Sequence, residues 1–259
     1  MMTPRNKIYT IFLILSVLMF SSACSLLPKQ TEETDKWSAS KFYSEAKSSL
    51  AATDYEDAIK YYEMLLARYP FGRFAQQAQV ELVYTYYKYD EPESALAGAD
   101  RFIKTYPRHP NIDYVYYLKG LVNFNRGKDL IARYLPQDPT QRDPGATRQA
   151  FDDFSVLTKK FPNSKYSRDA RQRMLFLRNN LAQYEVHVAN YYMKRGAYIA
   201  AANRSKYVLE HYQKTPAVPG ALDVMIQAYD KLGLDDLATD ARRVMQTNYP
   251  EYQTVQRSN

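Results

Sequence analysis

The chain has 259 residues, with 35 Lys and Arg against 28 Asp and Glu, a net charge of +7 at neutral pH. One cysteine, Cys24, excludes an internal disulfide, so the fold must stand on its apolar core alone. A basic excess can signal nucleic-acid binding, but the N-terminus argues against it.

Arg5 and Lys7 precede an apolar run from Ile8 to Phe20, and the small residues Ser21, Ser22 and Ala23 lead directly into Cys24. A charged start, a short apolar stretch and a small-residue exit predict a secretory signal peptide over residues 1–23. The run is too short for a membrane-spanning helix, which needs roughly 20 apolar residues, and no later segment reaches that length without charges. A cysteine at this point resembles the bacterial lipobox, which implies acylation of Cys24. Ser25 follows in place of an Asp that would imply inner-membrane retention, so the expected location is the outer membrane, on its periplasmic face. Without the signal peptide 33 basic residues oppose 28 acidic ones, a net of +5. An exported lipoprotein does not meet the chromosome, so no nucleic acid is expected. Anionic lipid or an acidic partner face suits the charge better.

Residues 24–37 carry Pro28, Gln30, Thr31, Glu32, Glu33 and Thr34 without apolar periodicity, predicting a flexible tether. From Ser38 the pattern is helical, rich in Ala, Leu, Lys, Gln and Arg. Helices are predicted near 38–52, 54–68, 73–89, 91–105, 111–131, 146–160, 164–195, 197–212, 217–232 and 234–247. Pro136, Pro139, Pro144 and Gly145 mark a loop over 132–145. Residues 251–259 form a tail.

These helices repeat. Ala58 leads twelve residues on to Tyr69-Pro70, Ala95 to Tyr106-Pro107, Ala150 to Phe161-Pro162 and Ala238 to Tyr249-Pro250; Ala201 leads to Tyr212-Gln213. Twelve residues before four of these alanines stand Ala46, Val83, Ala189 and Ile226, and Gly120 continues the 37-residue spacing. Small residues let paired helices approach, an aromatic such as Tyr62 or Phe154 fills the space between pairs, and proline ends the second helix. The pattern matches tetratricopeptide repeats: an all-α solenoid of five helix pairs. Repeats 1–3 occupy 38–163, and repeats 4–5 occupy 164–250 and include a long joining helix.

Nothing points to catalysis. His109, His187 and His211 are scattered without ligand spacing, Asp152 and Asp153 diverge on their helix, and the glycines form no phosphate loop. No metal, cofactor or catalytic residue is expected. The first helix of each pair lines the concave face of such a solenoid. That frame selects Tyr43, Leu50, Val80, Tyr84, Tyr87, Tyr114, Tyr117 and Phe124, with Lys47 and Lys88 beside them. An aromatic groove edged with positive charge suits a peptide bearing aromatic side chains and a free carboxylate.

Longer strings carry a family resemblance: Arg68-Tyr69-Pro70-Phe71-Gly72, His109 to Val115, Arg142-Asp143-Pro144, Phe161 to Ser164 and Val188 to Tyr198. Over roughly residues 38–247 the chain resembles the BamD family, the lipoproteins of the outer-membrane β-barrel assembly machinery. The resemblance implies that the N-terminal repeats bind C-terminal signals of unfolded outer-membrane proteins. It also implies that the C-terminal repeats dock on a POTRA domain of the barrel assembly subunit, with other assembly lipoproteins as further partners. Arg195 matches an arginine tied to that docking; Lys194 before it stands where a Glu is often found. A periplasmic repeat scaffold organising cell-envelope or peptidoglycan enzymes is the alternative.

Overall fold

The structure is a computed structural model and describes residues 34–126, 138, 140 and 143–252. The signal peptide, Cys24, residues 25–33, positions 127–131 of the fifth predicted helix, most of the 132–145 loop and the tail from 253 lie outside the described residues.

Ten α-helices, and no strand, are present among the described residues. We number them α1 (Ala39–Ala51), α2 (Tyr55–Arg68), α3 (Arg73–Lys88), α4 (Pro92–Thr105), α5 (Ile112–Asn125), α6 (Gly145–Lys160), α7 (Ser167–Lys194), α8 (Tyr198–His211), α9 (Val218–Leu232) and α10 (Asp235–Asn248). Each packs on its neighbours in sequence, and the first helices of successive pairs also touch, α1 on α3, α3 on α5 and α7 on α9. That stacking is the α-solenoid expected from the repeat spacing.

The small residues sit where two helices approach. Ala58, Ala95, Ala150, Ala201 and Ala238 are all fully buried, as are Ala46 and Ala189. At Gly120 a Cβ would lie 2.4 Å from the Phe154 ring, so only glycine lets α5 come this close to α6. Tyr62 and Phe154 are completely buried between pairs.

All five second helices end alike. Tyr69, Tyr106, Phe161, Tyr212 and Tyr249 each cap the helix with φ between −122° and −138°. Each donates its N–H to the carbonyl four residues earlier at 2.7–2.9 Å. Tyr212 makes this cap although Gln213 follows it, so proline sharpens the stop without being required for it. The turns within pairs are equally regular. Thr53, Asp90, Gly196 and Gly233 adopt the left-handed conformation, with φ between 62° and 73°. Two of the four are glycine, which bears that conformation without Cβ strain.

Three boundaries differ from the sequence expectation. The fifth helix, expected to reach 131, ends at Asn125, with Arg126 in a turn. The long helix starts at Ser167, because Ser164–Tyr166 form a turn in which Ser167 donates its N–H to the Ser164 carbonyl at 3.0 Å. The stretch assigned to a tether through residue 37 is held from Thr34, where a 3₁₀ turn (Thr34–Lys36) lies under Arg68. Arg68 donates to the carbonyls of Thr34 and Asp35 at 2.7 and 2.8 Å, and Tyr69 Oη donates to the Trp37 carbonyl at 2.8 Å.

The 28 residues of α7 span about 42 Å. Its first half closes the third pair through Ala170 and Leu177. Its second half serves the last two pairs through Ala182, Val186 and Ala189. Within this second half lies Glu185, with both carboxylate oxygens bonded to arginines of adjacent helices.

Candidate functional site

The residues expected to line a groove lie on α1 (Tyr43, Lys47, Leu50), α3 (Val80, Tyr84, Tyr87, Lys88) and α5 (Tyr114, Tyr117, Phe124). Tyr43 packs across α1, α2 and α3, its ring 5.6 Å from Phe74 and 6.1 Å from Tyr62. Burial raises its phenol pKa, the Glu81 charge adds to this, and a hydrogen bond with Gln77 opposes it. Tyr84 and Tyr87 are half-buried on α3, and Tyr87 Oη accepts a 2.6 Å bond from Asn125 Nδ2 on α5. Tyr114 and Tyr117 both face Tyr166, with ring centroids 5.2 and 4.9 Å away. Phe124 lies 6.0 Å from Phe176 and under the Arg173 guanidinium at 4.8 Å. Leu50 packs on the first core cluster, whereas Val80 is almost wholly buried. Each of these aromatic residues is thus partly engaged in packing, Tyr43 on the first core cluster, Tyr84, Tyr87 and Tyr114 on the second, and Tyr117 and Phe124 on the third.

The charge at the groove differs from expectation. Lys47 donates to Glu81 Oε1 at 3.2 Å, and Gln77 Nε2 donates to the same oxygen at 3.2 Å. The wall near α1 is therefore an ion pair rather than a free cation; Lys88 is exposed. Glu81 was missed because its partner lies 34 residues earlier, and only the rotation of α3 against α1 brings them together.

Beside Glu81 opens a cavity of about 410 Å³ lined by residues including Gln77, Asp113, Tyr114, Lys165 and Tyr166. Tyr166 and Lys165 lie in the turn before α7, a region expected to be helix, so neither was selected from sequence. Tyr117 Oη donates to Asp169 Oδ2 at 2.6 Å, and Arg173 Nε donates to the same oxygen at 2.6 Å. Burial pushes the Tyr117 phenol up to about 12, and its bond to Asp169 adds to the shift. Burial works against the Asp169 charge, yet the bonds from Arg173 and Tyr117 outweigh it and hold this carboxyl below its usual range.

Arg195 lies far from this groove, exposed at the end of α7. Its guanidinium stands 5.5 Å from the Tyr191 ring, and Nε donates to Tyr191 Oη at 3.2 Å. Tyr191 and Ile199 are 54% and 66% exposed. An exposed tyrosine paired with an arginine has the composition of an interface anchor, and the exposed Ile199 follows on α8. Tyr192, Asn203, Arg204 and Tyr207 line an adjoining depression.

The histidines stand apart. His109 Nδ1 accepts from the Asn111 amide at 3.1 Å, His187 Nε2 lies 2.8 Å from Thr140 Oγ1, and His211 packs on Tyr207. Among the described residues no group of three or more His, Cys, Asp or Glu side chains could hold a metal ion.

The stacked pairs, buried small residues and repeated caps define a tetratricopeptide-type α-solenoid. The family model for the outer membrane lipoprotein YfiO matches residues 35–256. An outer membrane protein assembly factor BamD of Neisseria meningitidis serogroup A is 45% identical over 244 residues, covering 93% of this chain and 91% of the relative. The Xylella fastidiosa (strain Temecula1) BamD is 36% identical over 95% of this chain and 84% of its own, and that of Vibrio cholerae 37% over 81% and 87%. The chain belongs to the BamD family.

Proposed function

We propose that the chain is an outer-membrane protein assembly factor, acylated at Cys24 and held at the periplasmic face of the outer membrane. Its relatives carry that name, and the family is one of outer membrane lipoproteins. No helix among the described residues is long and apolar enough to cross a membrane, so a lipid at Cys24 would supply the attachment.

Its work is recognition of other polypeptides. The observation that carries this reading is the set of aromatic side chains Tyr43, Tyr84, Tyr87, Tyr114, Tyr117 and Phe124, borne by the first helices of three successive repeats. Such a surface suits the C-terminal signal of an unfolded β-barrel protein, with an aromatic side chain entering the cavity beside Tyr114 and Tyr166. Lys47 is largely neutralised by Glu81, so Lys88 and Lys165 are the cations assigned to the peptide carboxylate. The exposed Tyr191–Arg195–Ile199 surface is the docking site for a POTRA domain of the barrel assembly subunit, and other assembly lipoproteins complete the set of partners.

A pull-down of the tagged protein from outer membranes in mild detergent tests the reading. Stoichiometric recovery of a POTRA-containing barrel protein is expected. Recovery of cell-wall enzymes alone would favour a scaffold of envelope enzymes instead.

A further inference from the structure

Phe71 is the most exposed large apolar side chain among the described residues, at 86%. It stands at the tip of the turn between α2 and α3, and the turn is built to hold it there. Pro70 precedes it, and Gly72 follows with φ +95° and ψ 179°, a conformation confined to glycine. The base of the turn is fixed to the start of the described chain by the bonds from Arg68 to Thr34 and Asp35 and from Tyr69 to Trp37. An aromatic this exposed on a turn this constrained calls for a partner surface.

Two observations select which surface. The first is where the chain comes from. Thr34 lies at the base of the Phe71 turn, and Cys24 is only ten positions earlier in the chain, at most about 34 Å when fully extended. If Cys24 is acylated, this end of the solenoid is the end nearest the bilayer. The second is charge. Arg68 and Arg73 flank the turn, Lys36 belongs to the segment that Arg68 holds, and Lys41 stands over Trp37 at the start of α1, against Asp35 and Glu45, which pair with Arg68 and Lys41. Arg73 is exposed and lies 4.8 Å from the Phe74 ring. A projecting aromatic within a basic collar suits the interface of an anionic bilayer, where the ring enters below the headgroups and the cations meet phosphate.

We propose that the Phe71 turn is a membrane-seating element: Phe71 inserts into the bilayer interface beside the lipid anchor, while Arg73 and Lys36 bind anionic headgroups. The acyl chains alone would hold the protein at the membrane without fixing its orientation. A second contact at Phe71 fixes which way the concave face and the Arg195 surface point. The proposal rests on acylation at Cys24, and its test separates the two.

The chain has a single tryptophan, Trp37, so Phe71→Trp in a Trp37→Phe background gives one indole at the tip of the turn. The protein purified from membranes is placed in vesicles of phosphatidylethanolamine and phosphatidylglycerol with brominated acyl chains. Its indole emission is expected to be quenched and blue-shifted, while Leu237→Trp on α10 in the same background is unquenched. Emission from Phe71→Trp as insensitive to bromolipid as that of Leu237→Trp would overturn the proposal. Equal quenching in neutral phosphatidylcholine vesicles would overturn the role of the basic collar. Acylation is read separately from the protein's mass. If it is absent, Cys24, the only thiol, is coupled to a maleimide lipid and the same quenching decides the turn.

Discussion

Glu185, only 1% exposed on α7, accepts a 2.9 Å hydrogen bond from Arg204 on α8. Its other oxygen accepts from Arg148 on α6 at 3.2 Å. One buried carboxylate thus ties the third helix pair to the fourth at the point where α7 passes from one half of the solenoid to the other. The arginines are half-exposed, so each returns to water easily; the carboxylate cannot. Arg204→Ala or Arg148→Ala is therefore expected to cost about 2 kcal/mol, the scale of one hydrogen bond to a charged group. The double variant should lose more than the sum, because the second loss strands a buried charge. Urea unfolding of the two singles and the double checks this; strict additivity would mean that the arginines act independently.

Gly120 presents the opposite case, a site defined by lack of space. With the Phe154 ring 2.4 Å from where a Cβ would sit, Gly120→Ala should destabilise by about 1–3 kcal/mol. Adding Phe154→Leu should recover part of the loss relative to Phe154→Leu alone. Thermal unfolding of the cycle measures both effects, and no recovery would show that the glycine is needed for another reason.

The left-handed turn residues give a test with the sign reversed between sites. At Thr53 a β-branched side chain bears φ 62°, so Thr53→Gly should stabilise by about 0.5–1 kcal/mol despite the greater freedom of the unfolded chain. At Gly233, with φ 70° and no neighbour to meet a Cβ, substitution by Ala should cost about 1 kcal/mol from backbone strain alone. Denaturant midpoints of the two variants should move in opposite directions.

Asp169 makes stability depend on pH. Its carboxyl titrates below the ordinary range in the fold, so its contribution is present above the unfolded value near 4 and is lost as pH falls through the folded value. Asp169→Asn should therefore be less stable than the native sequence at neutral pH, with the gap closing in acid. Asp153 runs the other way. Burial raises its pKa against the bonds from Asn123, Lys119 and Gln149, so its ionisation costs stability as pH rises. Asp153→Asn should remove that cost. Unfolding midpoints of both variants between pH 3 and 7 test the two signs.

The parts of this fold visible in the sequence are those that repeat. Ala58, Ala95, Ala150, Ala201 and Ala238 stand out because close helix approach admits only small side chains, and that demand recurs at every pair. Helix ends were legible from Tyr-Pro and Phe-Pro for the same reason. Ion pairs were not. Glu185 with Arg148 and Arg204, and Lys47 with Glu81, depend on helix rotation and rotamer, which spacing along one chain leaves open. Thr53 and Asp90 hid the left-handed turns because neither is glycine. Phe71 falls in the predicted turn between helices, but its position there does not say whether the ring folds back on the core or projects. Of the residues proposed to bind peptide, Tyr43, Tyr84, Tyr87, Tyr114 and Tyr117 were selected by the repeat frame, whereas Tyr166 and Lys165 sit in a turn to which that frame does not extend.

The proposed capture of barrel-protein signals by these aromatic residues can be measured as the affinity of a fluorescent peptide, ending in the C-terminal aromatic of a β-barrel protein, for the native protein and for Tyr84→Ala/Tyr87→Ala. Circular dichroism confirms that the variant is folded, and a POTRA domain serves as the second ligand. The double variant is expected to lose peptide affinity by about tenfold or more, equivalent to about 1.4 kcal/mol, while POTRA binding is unchanged. Peptide affinity equal to that of the native protein in a folded variant would contradict the proposed capture and move recognition away from this face.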